Sequence, residues 1–274
     1  MLNTQQNTQS SPQVMGILNI TPDSFFSSSR KQTEREIAER TLQIVNEGAE
    51  IIDVGGYSSR PNAAFVSPEE EWKRLQSGLK ILFREIPDAT VSIDTFRSDV
   101  ARRCIEQFGK LTINDISGGQ IDEKMFDTVA EFQVPYILMH SRGTPQTMMQ
   151  NTHYDDPVGE ILQYFSDKIQ ILEQKGLRDI TIDPGFGFSK TTQQNYAVLA
   201  DLEKFQVLNR PILVGFSRKT MIREILHVSS EEALNGTTAL NMAALIKGAS
   251  VLRVHDVKEA VETVKLYKSI YYVC

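Results

Sequence analysis

The chain has 274 residues, 41% apolar and 23% charged, with 29 basic against 35 acidic side chains and a net charge of −6. This is the composition of a globular protein, and the length suits one large domain, such as a parallel barrel of about 250 residues. The acidic balance argues against a dedicated nucleic-acid binder while leaving room for a local basic pocket, and no run of about 18 apolar residues is present to span a membrane.

Residues 1–13 are polar and lack the basic-then-apolar order of a signal peptide, so they read as a loose tail ahead of a single domain over 14–274. Short apolar runs at 14–18, 51–54, 91–94, 111–115, 136–139, 180–183, 212–215 and 251–254 predict strands. Helical patterns fall between them, at 33–47, 68–86, 98–108, 122–132, 157–175 and 195–205, then through 247 after the seventh strand, and finally at 257–271. Gly48 and Gly176 stand where the first and fifth helices should close. The two cysteines, Cys104 and Cys274, make neither a disulfide framework nor a metal cluster and point to a reducing cytoplasm.

Eight strand–helix units are what a closed (β/α)8 TIM barrel requires. A doubly wound open sheet competes, but no Gly-x-Gly-x-x-Gly follows the first strand, and Gly185 and Gly187 lack the third glycine of that fingerprint. Side chains two apart share a strand face. Ser92 therefore pairs with Asp94, Thr112 with Asn114, Thr181 with Asp183 and Arg253 with His255, while Asn19 follows Met15 and Ile17. The opposite faces are expected to carry Val, Leu or Ile, packed under helices. With the polar faces inward, Asn19, Asp94, Asn114, Asp183, Arg253 and His255 converge on the C-terminal mouth, where barrels build active sites.

The chemistry of that set is specific. Asp94, Asn114 and Asp183 supply two carboxylates and an amide, which suit a heterocycle bearing amino and lactam groups. A metal site is the competing reading for two aspartates, but no His or further carboxylate stands at ligand spacing. After Thr181-Ile-Asp183 the strand must stop at Pro184-Gly185, and the turn that follows carries Phe186, Phe188 and Lys190. Gly215-Phe-Ser-Arg-Lys219 opens a helix and offers a place for an anion beside Arg218 and Lys219. It is not a Gly-x-Ser-x-Gly elbow, so Ser217 is not read as a nucleophile. Arg60, Arg253 and His255 add cations, and Asn19 is available to Mg²⁺ carried on phosphate oxygens, so the group suggests a diphosphate site. His140 reads as structural, and His153 and His227 have no evident partner.

Taken in order, Asn19-Ile-Thr-Pro-Asp-Ser-Phe25, Asp53-Val-Gly-Gly56 with Ser58-Ser-Arg-Pro61, Ser92-Ile-Asp-Thr95, Asn114-Asp-Ile116, Asp183-Pro-Gly-Phe-Gly-Phe188, Ser217-Arg-Lys219 and Arg253-Val-His-Asp256 resemble the dihydropteroate synthases. The resemblance runs from about residue 14 to residue 264. It implies condensation of 6-hydroxymethyl-7,8-dihydropterin diphosphate with p-aminobenzoate, membership of a family that is a sulfonamide target, and a homodimer formed through outer helices. By position, Asp94, Asn114, Asp183 and Lys219 would hold the pterin, and Asn19 would bind Mg²⁺. Arg60, Arg253 and His255 would join Asn19 at the diphosphate, while Ser59, Pro61, Phe188, Ser217 and Lys219 would surround p-aminobenzoate. Asn19, Arg60, Lys219, Arg253 and His255 would carry catalysis. Methyltetrahydrofolate-dependent corrinoid methyltransferases share such a barrel but need no diphosphate site, and a non-catalytic pterin-binding paralogue is the other alternative. The sequence departs from the common pattern at Ser59 (usually Thr), Tyr57 (commonly Glu), Phe26-Ser-Ser-Ser29 (usually Ser-Asp-Gly-Gly) and Phe96-Arg97 (usually Ser-Lys).

Overall fold

In the computed structural model, which describes residues 11–20, 30–57 and 65–272, the eight apolar runs are parallel strands. They are β1 (Gln13–Asn19), β2 (Ile51–Gly55), β3 (Val91–Asp94), β4 (Thr112–Asp115), β5 (Tyr136–Met139), β6 (Ile180–Asp183), β7 (Leu213–Val214) and β8 (Val251–Val254). Their hydrogen-bonded order is β6-β5-β4-β3-β2-β1-β8-β7, and a bridge between Ile182 and Ile212 joins the two ends into a barrel.

Nine α-helices cover the outside among the described residues: α1 (Arg30–Asn46), α2 (Pro68–Glu85), α3 (Ser98–Phe108), α4 (Met125–Phe132), α5 (Pro157–Gln174), α6 (Thr192–Ala200), α7 (Thr220–Leu226), α8 (Leu234–Ile246) and α9 (Val257–Tyr271). Local chemistry sets their ends. Ser67 and Asp156 cap α2 and α5 ahead of Pro68 and Pro157, and Thr191 with Gln194 forms a capping box on α6. That box starts α6 three residues earlier than the periodicity predicts, and a separate 3₁₀ turn, Leu202–Leu208, follows it. The helical stretch expected after the seventh strand is two helices, because His227 takes a left-handed φ of 54° and closes α7.

The period-two alternation holds. Met15, Ile137, Leu213 and Val251 fill the barrel interior, and Leu18, Val54, Ile93, Ile113 and Leu252 face the helices in the main core. One outward position breaks the expected apolar face. Asp115, fully buried, turns toward the helices and accepts hydrogen bonds from Ser117, from the Gly119 N–H at 2.8 Å and from the Tyr136 hydroxyl at 2.8 Å. Burial raises its pKa, and the four donors pull against that rise. It shapes the turn leaving β4 and does not reach the mouth. No helix among the described residues is long and apolar enough to cross a membrane.

Gly16 lets β1 lie close under two helices: a Cβ there would stand 2.5 Å from Cγ2 of Ile44 and 3.0 Å from Cγ2 of Val257. Gly16→Ala should therefore cost about 1–3 kcal/mol by overpacking. Urea unfolding should show a lower midpoint with an unchanged slope, whereas an unchanged midpoint would mean that the helices stand off from the strand.

Candidate active site

The strand ends decide what reaches the mouth. Asp94 closes β3, Asp183 closes β6, Asn114 is the penultimate residue of β4, and Arg253 that of β8. Asn19, half-buried at the end of β1, pairs with Gly55 across the ladder; a Cβ on Gly55 would stand 3.5 Å from the Asn19 amide oxygen and 3.6 Å from Cβ of Asp94. The glycine keeps that corner open.

Arg253 organises the floor. Its Nε donates to Asp53 at 2.6 Å and its Nη2 to Asp94 at 2.7 Å, while Nη1 makes no hydrogen bond among the described residues. Asp53 is fully buried and also accepts from Nδ2 of Asn114 at 3.3 Å. That contact fixes the Asn114 amide with its oxygen free to accept from a ligand. Burial disfavours the charge on Arg253, but Asp53 and Asp94 more than offset it and hold the pKa above the ordinary value. Burial pushes Asp94 from 3.8 up to about 7, with Arg253 pulling down and Asp53 pushing up. Asp183 is raised by burial too, against the pull of Lys219, and its Oδ1 accepts the Gly185 N–H at 2.8 Å.

The Gly-rich turn after β6 sends its two rings in opposite directions. Phe186 is fully buried and packs on Phe216, with ring centroids 4.5 Å apart. Phe188 is half-buried and lies beneath Lys219, whose Nζ stands 4.9 Å from the ring centroid. The same Nζ donates to the Phe186 carbonyl at 2.6 Å, and burial lowers its pKa to about 8 although Asp183 opposes the drop. Lys219 thus joins the carboxylate side of the mouth to its aromatic side.

Two predicted neighbours lie differently. Arg218 turns away from the mouth: its guanidinium pairs with Asp256 at 2.9 Å and donates to the carbonyls of Ser230 and Glu231. It ties the loop after β7 to the end of β8 and gives no cation to an anion site. The helix expected to supply an anion-binding N-terminus, α7, has only seven residues. Ser217 and His255, expected at different substrates, touch. The Ser217 hydroxyl lies 3.1 Å from His255 Nδ1 and accepts the His255 N–H at 3.2 Å. Ser59, Arg60 and Pro61 lie outside the described residues, as does most of the tail, as do residues 21–29 and Cys274.

The structure adds four residues that the sequence reading does not place at the site. Asp53 is one. The others are the departures at Tyr57 and Phe96-Arg97, which form one cluster. The Tyr57 and Phe96 rings meet edge to face at 5.3 Å, and the Arg97 guanidinium stands 5.4 Å from the first and 5.0 Å from the second. Arg97 also pairs with the fully buried Glu71, which accepts from Thr95 at 2.6 Å, and donates to the Val66 carbonyl at 2.7 Å. Phe188 packs against this cluster's edge. Residues 57 and 97 are spatial partners, so an exchange at one alters the surroundings of the other.

Residues 15–255 of this barrel match the family described as pterin binding enzyme. The dihydropteroate synthase of Escherichia coli K12 is 40% identical over 262 residues, covering 95% of this chain and 92% of that protein. The Synechocystis dihydropteroate synthase is also 40% identical, covering 94% and 90%. Among solved structures, the Xanthomonas albilineans dihydropteroate synthase with 4-aminobenzoic acid gives a TM-score of 0.88 at 35% identity over 97% of this chain and 95% of that one. The Yersinia pestis dihydropteroate synthase in complex with a sulfonamide drug gives 0.88 at 34% identity, covering 96% and 95%. The chain belongs to the dihydropteroate synthase family of pterin-binding enzymes.

The raised Asp94 carboxyl has a measurable signature. Its folded pKa, about 7, exceeds the ordinary 3.8, so between these values the folded protein holds a proton that the unfolded chain has released. Its contribution to stability therefore falls as pH rises through that window and is fully lost above about 7. Asp94→Asn removes the titration. The stability difference between the variant and the wild type should shift in the variant's favour from pH 5 to pH 8, and a pH-independent difference in denaturant unfolding would contradict the assignment.

Proposed function

We propose that this chain joins 6-hydroxymethyl-7,8-dihydropterin diphosphate to p-aminobenzoate, forming 7,8-dihydropteroate and diphosphate. The observation that carries the reading is the convergence of Asp94, Asn114 and Asp183 on one floor, with Lys219 bridging Asp183 to the Phe188 ring. A flat heterocycle rich in N–H donors is matched by two carboxylates and the oriented Asn114 amide oxygen. A second, arylamine-bearing ring would lie along Phe188, with Ser59, Pro61, Ser217 and Lys219 around it. Solved relatives from Xanthomonas albilineans carry 4-aminobenzoic acid in one case and 7,8-dihydropteroate in another.

In the reaction the C–O bond to diphosphate breaks with its electron pair leaving on oxygen. The arylamine lone pair forms the new C–N bond and one N–H proton is released. No side-chain nucleophile is required. Arg253 would present Nη1 to the departing diphosphate, with Arg60, His255 and Asn19 beside it, so that charge developing on oxygen is met by fixed donors. Carboxylates on the pterin side favour positive charge on the ring as the bond opens.

Mg²⁺ fits this chemistry only as a companion of the substrate. Among the described residues no group of three His, Cys, Asp or Glu side chains could hold an ion, and Asn19 offers a single neutral amide oxygen. Mg²⁺ typically keeps several waters and borrows phosphate oxygens, so one protein ligand is compatible with an ion arriving on diphosphate. When bound it would neutralise charge on the leaving group.

The enzyme is further proposed to act as a homodimer in the reducing cytoplasm. Exposed Ile225, Leu226, Ile246, Leu266 and Ile270 lie on the neighbouring helices α7, α8 and α9, and an apolar surface of this kind favours burial by a second copy. Cys104 is a free, buried thiol.

Incubation with pterin diphosphate, p-aminobenzoate and Mg²⁺ should yield dihydropteroate and diphosphate in equal amounts. Diphosphate release without dihydropteroate, or neither, would overturn the reading, and demethylation of methyltetrahydrofolate would move it to methyl transfer. Asp183→Asn should weaken pterin binding by about 1–3 kcal/mol, because an amide N–H would face a ligand donor. Calorimetry showing unchanged affinity would remove Asp183 from the pterin floor.

A further inference from the structure

Lys190 ends the turn that begins at Asp183, and it is 2% exposed. An ammonium group is costly to bury unless it is paired, yet no carboxylate hydrogen-bonds to this one. Its Nζ reaches three other acceptors: His140 Nδ1 at 3.0 Å, the Gly185 carbonyl at 3.1 Å and the Phe188 carbonyl at 3.1 Å. A lysine ammonium has three donors and no acceptor, so the three partners use its capacity completely.

The imidazole partner is as enclosed as the lysine. His140 is 2% exposed and is surrounded by the rings of Tyr154, Tyr164 and Phe165. Burial, then Lys190 and Arg142, holds its pKa well below the usual histidine value, so the ring is neutral and can present Nδ1 as an acceptor. Burial lowers Lys190 to about 7 as well, opposed by Asp183 and assisted by Lys219 and Arg142. Loss of a proton need not break the network. A neutral amine can accept from the other imidazole tautomer while it still donates to both carbonyls.

The two carbonyls belong to the turn that separates the pterin floor from the Phe188 ring. Asp183 sits in the strand ladder, paired with Met139, and has its own bond from the Gly185 N–H. Phe188 lies beyond the strand and is tied back by its N–H to the Gly185 carbonyl at 3.1 Å. That carbonyl is one of the two that Lys190 holds. Gly185 has no slack of its own, with φ at 71° and a would-be Cβ 2.0 Å from the His140 carbonyl oxygen.

We propose that Lys190 is a positioning residue for the second substrate: by gripping the Gly185 and Phe188 carbonyls from beneath, it fixes the Phe188 ring against which the arylamine lies. Asp183 keeps its strand support without this grip. The inference rests on the reading of the chain as the pterin–arylamine condensing enzyme, and a split between the two substrates follows from it.

Steady-state kinetics of the full chain test the split. Lys190→Met fills the space without a donor, and Lys190→Gln keeps a shorter one. In Lys190→Met, KM for p-aminobenzoate should rise about tenfold or more, the equivalent of one or two lost hydrogen bonds. KM for the pterin diphosphate should change far less, and Lys190→Gln should show the same split at smaller size. If the Met variant does not fold, the Gln variant decides alone. Unchanged KM for p-aminobenzoate in a folded variant overturns the proposal. So does a parallel rise in both KM values with falling kcat, which is general loosening of the site. Wild-type turnover is the control: no dihydropteroate from wild type defeats the functional reading, whereas turnover without the split defeats only the role of Lys190.

Discussion

Arg253 reaches from β8 into the barrel and is held there between Asp53 on β2 and Asp94 on β3, with the Asn114 amide on β4 donating to the same Asp53. Three buried or half-buried charges at 2.6–2.7 Å tie the end of the eighth strand to the second and third. Removing Arg253 would leave the buried Asp53 carboxylate without its cation in a low-dielectric interior, at a cost of about 3–5 kcal/mol. The ladder alone would hold the strands together. The charges fix which side chains stand at the mouth and in what orientation.

The electrostatics of the site follow from this arrangement. Asp53, Asp94 and Asp183 face Arg253 and Lys219, with the buried Lys190 near Asp183. Burial raises both Asp94, to about 7, and Asp183. Such a floor is under-supplied with donors until a ligand brings N–H groups to it, which suits a pterin. The opposite side of the mouth is built on aromatic surface. Phe188 lies under Lys219 and against the edge of the Tyr57, Phe96 and Met139 cluster. The turn Asp183–Phe188 is the hinge between these two chemistries, and the buried Lys190 braces it from below.

Much of this was legible in the residues. Strand alternation is a covalent property of an extended backbone, so it places Asp94, Asn114, Asp183, Arg253 and Asn19 on one face without knowledge of the packing. Asp53 lies on the same alternation, between Ile51 and Gly55, yet enters the sequence reading only as part of a motif. Its role depends on Arg253, 200 residues away, and pattern does not pair distant charges. Arg218 shows the same limit from the other side. Its place beside Lys219 suggests an anion site, but Asp256 claims it across 38 residues. Tyr57 and Phe96-Arg97 are visible in sequence as separate departures from the family pattern. Only the fold shows them packed against one another.

A double-mutant cycle on the unfolding free energy, with Asp53→Asn, Arg253→Met and the pair, tests most directly whether the Arg253 interaction holds the floor. Arg253→Met should lose about 3 kcal/mol or more by stranding Asp53, Asp53→Asn should lose less because Arg253 keeps Asp94, and the double variant should lose less than the sum by about 2 kcal/mol. Additive losses would mean that Arg253 and Asp53 stabilise the barrel independently, and the floor would not be a single charge-linked unit.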